Sequence, residues 1–98
     1  MFVHAVYFTL RPDLPETDRA HFVAWLTRLC GISSVRHGYV GTPADRHRPV
    51  IDRAYTHALV LLFDNGEQEA AYQVDPVHDQ FKAECSTFWE RVRIFDSE

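Results

Sequence analysis

Two stretches of this chain are apolar on both sides of an extended backbone, and that restricts its fold more than any other feature. In Phe2-Val-His-Ala-Val-Tyr-Phe-Thr-Leu10 the two alternating sets are Phe2, His4, Val6, Phe8, Leu10 and Val3, Ala5, Tyr7, Thr9. In Tyr55-Thr-His-Ala-Leu-Val-Leu-Leu-Phe63 they are Tyr55, His57, Leu59, Leu61, Phe63 and Thr56, Ala58, Val60, Leu62. The β-branched and aromatic content marks both as strands, the first closed by Arg11-Pro12. A sheet with one wet face alternates apolar and polar residues. These strands do not, so both faces of their sheet need cover.

The remaining segments supply the other elements. Pro15-Glu16 suits a helix start, and Thr17 or Asp18 offers a capping oxygen slightly later. From Arg19, Phe22, Val23, Leu26, Leu29 and Cys30 recur at helical spacing, and Gly31 is expected to end that helix in the left-handed conformation. Val35–Val40 reads as a second strand, followed by a polar loop ending near Arg53. Asp64-Asn-Gly66 is a turn or cap, and Glu67–Val74 a short helix. Asp75-Pro76 restarts a helix with Asp as N-cap and Pro at the first position. Val77, Phe81, Cys85, Phe88 and Val92 follow at helical spacing, and Arg91–Phe95 is the final strand.

The order strand–helix–strand–strand–helix–strand is the ferredoxin-like βαββαβ pattern, an α+β fold with a four-stranded antiparallel sheet and helices on one face. Those helices cover one side only. The simplest cover for the other is a second copy of the same sheet, so residues 1–98 are expected to be one domain that pairs as a homodimer.

Composition narrows the function. A chain of 98 residues carrying 14 acidic and 10 basic side chains, net −4, is not built to hold nucleic acid. Cys30 and Cys85 are far apart and at apolar helical positions, so both read as core residues in a reducing, cytoplasmic setting. Residues 1–10 are too few to cross a bilayer and lack the basic start of a secretion signal, so no membrane association is expected. The six His have no metal-binding spacing and no Cys or carboxylate cluster completing a site. Neither a metal nor another cofactor is expected. Arg46, His47, Arg48 and Arg53 beside Asp45 and Asp52 read as a solvated loop.

Several motifs together resemble the Dabb family, the stress-responsive dimeric A/B barrel proteins. They are His4 in the first strand, Tyr55-Thr-His-Ala in the third, Ala71-Tyr72, Pro76-Val-His78-Asp-Gln-Phe81, and Phe88-Trp89-Glu90 with Ile94-Phe95-Asp96. The resemblance spans essentially the whole chain. It implies a homodimer whose sheets face each other in a barrel, in agreement with the burial argument. Within the family the pattern is most similar to a plant polyketide cyclase that works without a cofactor. That likeness implies a catalytic pair at Tyr72 and His78, with His4 and His57 in the pocket. Two departures bear on the substrate: Asp75 stands where the resemblance puts a His, and Gln80 where it puts a Gly.

Tyr72 and His78 are six residues apart, so a continuous helix would point them in different directions. The restart at Pro76 changes the axis and can bring them to one cavity. There His78 would take a proton from a carbon between two carbonyls, and Tyr72 would hydrogen-bond the developing enolate oxygen. His4 and His57 would orient His78 or the ligand, and Phe81 and Trp25 would line the pocket. The implied ligand is an apolar, polyketide-like small molecule. The alternative is a stress-responsive or ligand-binding protein that holds such a molecule without converting it.

Overall fold

The chain folds as a four-stranded antiparallel sheet with all its helices on one side, as the computed structural model, covering Met1 to Glu98, describes it. In chain order the elements are β1 (Phe2–Leu10), α1 (Glu16–Leu29), β2 (His37–Gly41), β3 (His57–Phe63), α2 (Gly66–Gln73), α3 (Pro76–Cys85) and β4 (Trp89–Ser97). The strand order is β2-β3-β1-β4, the ferredoxin-like arrangement. β1 is therefore central. Its register sets His4 opposite Leu61 of β3 and opposite Asp96 of β4.

Strand parity decides what is buried. His4, Val6, Phe8 and Leu10 of β1 face the helices and are buried, as are Leu59, Leu61 and Phe63 of β3. The apolar ones form one core with Phe22, Trp25, Leu26 and Leu29 of α1, Tyr72 of α2, and Phe81 and Cys85 of α3. Phe22 is completely buried, with its ring edge-on to Phe8 at 5.1 Å. The other parity, Val3, Ala5, Tyr7, Thr9, Val60 and Leu62, remains half-buried in the single chain. Three helices cover one face; on the other only the loop that holds Tyr55 packs against the sheet, at Tyr7, and most of that face is left without cover.

Several boundaries differ from the sequence reading, each for a local reason. Gly31 does not take the left-handed conformation. Cys30 ends α1 in right-handed geometry, no residue has positive φ, and Gly31 N–H bonds back to Arg28 O at 3.0 Å in a tightened last turn. β2 starts at His37 rather than Val35. It runs so close to the end of α1 that a Cβ on Gly38 would lie 2.5 Å from Cys30 Sγ, which explains glycine there. Cys30 itself is half-buried, whereas Cys85 is in the core. β3 starts at His57, and Tyr55 belongs to the preceding loop, edge-on to Tyr7 at 5.0 Å. Val92 belongs to β4, not to a continued helix, because α3 stops at Cys85 and Trp89 already pairs with Leu10.

Candidate functional site

The break between α2 and α3 shapes the site. Asn65 caps α2, its side chain accepting from Gln68 N–H at 2.9 Å, and Tyr72 falls in the last turn. Asp75 then caps α3, accepting from Val77 N–H at 2.8 Å, with Pro76 at a position that needs no donor. The new axis brings His78, in the first turn of α3, edge-on to Tyr72 with ring centroids 4.8 Å apart. Tyr72 is wedged between His78, Phe63 at 5.5 Å and His4 at 5.9 Å.

The rings of His4, Tyr72 and His78 wall one cavity of about 220 Å³ between the sheet and α2–α3. His4, Gln73, Tyr72, His78 and Lys82 supply its polar wall, and β1, β3, β4 and Phe81 supply an apolar body. Trp89 stacks on Phe81 at 5.8 Å inside that body. Val92 and Ile94, more than a third exposed on the edge strand, form an apolar lip.

Burial tunes both central groups. It pushes the His78 imidazole below its ordinary range, with Lys82 adding to the effect, so the ring is neutral near pH 7. Its Nδ1 is buried without a hydrogen-bond partner from the protein. Burial first, then Cys30 and Glu69, hold the Tyr72 hydroxyl well above the ordinary tyrosine range, so it remains a donor. His4 is anchored from β4: its Nδ1–H donates to Asp96 Oδ1 at 2.6 Å, which turns Nε2 into the free ring nitrogen. Glu69 Oε2 is 3.9 Å from the same Nδ1 and accepts from Gln73 Nε2 at 2.7 Å.

The residues singled out in the sequence do not all meet here. His4, Tyr72, His78 and Phe81 line the cavity. His57 and Trp25 do not. His57 is on the helix side of β3 but opposite Phe8, four residues along the strand from the partner of His4, or about 13 Å at strand rise. It packs on Phe22 at 5.6 Å, its Nδ1 buried and unpartnered, and burial lowers its basicity, with Arg19 adding to that. Trp25 donates towards His21 of α1 and Glu84 of α3, in the groove between those two helices. Gln80 donates to Glu84 at the surface and does not obstruct the cavity. Asp96, Gln73 and Lys82 went unrecognised. Asp96 is found by parity with His4, but only once the β1–β4 register is known.

A larger concavity of about 370 Å³ lies on the uncovered sheet face, between Tyr7, Tyr55, Phe95 and the Arg93–Asp52 ion pair at 2.9 Å. It contains none of the residues singled out for chemistry.

The family model for the stress-responsive A/B barrel domain matches residues 2–98. The chain belongs to the Dabb family. A Dabb relative of assigned activity, olivetolic acid cyclase of Cannabis sativa, is 23% identical over 94 residues, 95% of this chain and 91% of the cyclase. Among solved structures, a dimeric ferredoxin-like protein of Thermobifida fusca superimposes with a TM-score of 0.78 at 16% identity, over 98% of this chain and 88% of that one. Hydroxynitrile lyase of Passiflora edulis superimposes with a TM-score of 0.80 at 20% identity, over 98% and 90%. At these identities the superpositions show the ferredoxin-like fold alone, and the site is argued from its own geometry.

Proposed function

We propose that the chain is a cofactor-independent acid–base enzyme that closes a ring in a β-dicarbonyl, polyketide-like substrate by intramolecular aldol condensation. The observation that carries this reading is the convergence of a neutral, unpartnered His78 and a protonated Tyr72, rings 4.8 Å apart, on the wall of one largely apolar cavity. His78 takes the proton from carbon between two carbonyls. Tyr72 donates to the enolate oxygen, where charge develops. The enolate carbon bonds to a second carbonyl carbon of the same molecule, and the resulting alkoxide takes the proton back from His78. Loss of water then completes the ring. Electrons are conserved throughout, so the chemistry needs no redox cofactor. His4, anchored by Asp96, lines the same space. Two similar proteins, named as a cyclase and a lyase, support a reading in which carbon skeletons are remade.

The working unit in this reading is a homodimer with the uncovered sheet faces packed together. The half-buried Val3, Tyr7, Val60 and Leu62 support it.

Linear β-polyketo thioesters incubated with the protein and followed by mass spectrometry test the proposal. Tyr72→Phe, which keeps the packed ring, is expected to slow cyclisation by about 10²–10³-fold. His78→Ala is expected to slow it by about 10²–10⁴-fold. Wild-type turnover by His78→Ala rules the mechanism out. The mainly apolar lining also fits the second reading, a ligand-binding Dabb protein without chemistry. Retention of the thioester unconverted, in a stoichiometric complex, selects that reading.

A further inference from the structure

The cavity carries one permanent charge, and it is positive. Of its twelve lining residues none is Asp or Glu, and Lys82 alone is a full cation. Lys82 is one turn beyond His78 on α3, so the two side chains share a face. The nearby carboxylates are engaged elsewhere. Asp96 holds His4 at 2.6 Å, and Glu69 holds Gln73 at 2.7 Å. Asp79, outside the cavity, reaches the Lys82 ammonium only at 3.7 Å, a loose i, i+3 contact between two well-exposed side chains. The ammonium is therefore available at the cavity mouth. The interior behind it, lined by Val6, Phe8, Leu59, Phe81 and Trp89, offers an anion's charge nothing but offers its hydrocarbon part a dry surface.

We infer that this site is specific for amphipathic carboxylates: the apolar body fills the space between Phe8, Phe81 and Trp89, and the carboxylate stays at the mouth on Lys82. Lys82 is thus a specificity-determining residue. The ligand's reactive carbons lie inward of its charge, on the side of Tyr72 and His78. This inference rests on the cavity's being the ligand site proposed above, and narrows the substrate to a polyketide-like thioester that carries a free acid group as well.

Calorimetric titration of the intact protein with octanoate and with octan-1-ol at neutral pH separates charge from hydrocarbon. Octanoate is expected to bind about three- to tenfold tighter than the alcohol, with a preference that shrinks at high salt. Lys82→Gln should remove the preference and leave the affinity for octan-1-ol unchanged. Lys82→Glu should reverse it. Equal binding of the two probes by the wild type, or a preference that survives Lys82→Gln, overturns the role of Lys82 while leaving the cavity as a ligand site. Failure of both probes to bind overturns the cavity reading itself, and the inference with it.

Discussion

His4 Nδ1 and Asp96 Oδ1 are 2.6 Å apart, joining two residues that face each other across the β1–β4 pair and lie 92 positions apart in the chain. Accepting from Nδ1–H, the carboxylate fixes which ring nitrogen carries hydrogen. Asp96→Ala is expected to release that choice. The ¹⁵N shifts of the His4 ring should move from the Nδ1–H form towards the mixture of a free imidazole, in which Nε2–H predominates. Unaltered shifts would show that Asp96 does not set the tautomer.

The Asp75 cap ties α3 to the position that presents His78. Asp75→Ala removes the acceptor for Val77 N–H and is expected to cost about 0.5–2 kcal/mol in urea unfolding. The His78 ring proton shifts, which sense the edge-on Tyr72 ring, should change in the same variant. A stability loss without any movement of those shifts would mean that Pro76 alone maintains the geometry.

Two half-buried imidazoles govern stability just below neutrality. Burial lowers His57 and His78 beneath their ordinary values, near 6.5 in an unfolded chain. Protons therefore bind more tightly to the unfolded chain, and stability is complete above about pH 6.5 and declines as pH falls below it. The lowered carboxyls of Asp52 and Glu84 withdraw their contribution only in a more acidic range. The urea midpoint, at fixed protein concentration, should drop between about pH 7.5 and 5.5, and His57→Gln should flatten the drop. A midpoint that rises across that interval contradicts the assignment.

The uncovered sheet face can be tested at its centre. Val60 is flanked by Ala5 and Tyr39 in the register of β1, β3 and β2. Val60→Glu places a charge where two apolar sheets would meet, an unpaired burial that association cannot tolerate. Sedimentation should give twice 11.4 kDa for the wild type and 11.4 kDa for the variant. A wild-type monomer would dismiss the dimer.

The element order was legible because each strand and helix carries its own period. Asp75-Pro76 and the apolar runs at 2–10 and 55–63 are local signals, read without knowing any neighbour. Parity groups His4 with Val6 and Phe8, and His57 with Leu59 and Leu61, but which face meets the helices is visible only in the fold. The distance between His4 and His57 was not legible either, because parity groups residues by face and register gives the position along it. His57 therefore falls opposite Phe8, beside Phe22 and away from Tyr72. Asp96 was hidden for the same reason. Lys82 was hidden because a lysine on an amphipathic helix reads as solvent-facing until the wall opposite it is known. The end of α1 was misread at Gly31 because a tightened right-handed turn serves the last carbonyls as well as a left-handed residue does.

The pairing of β1 with β4 has a consequence for biosynthesis. The cavity draws His4, Val6 and Phe8 from the first strand and Trp89, Val92 and Ile94 from the last. A nascent chain that has not yet reached β4 holds the first of these and lacks the second, so its central strand has one open edge and no ligand site. Ligand can stabilise this domain only once β4 has been made and paired with β1, and cannot guide the earlier steps of its folding.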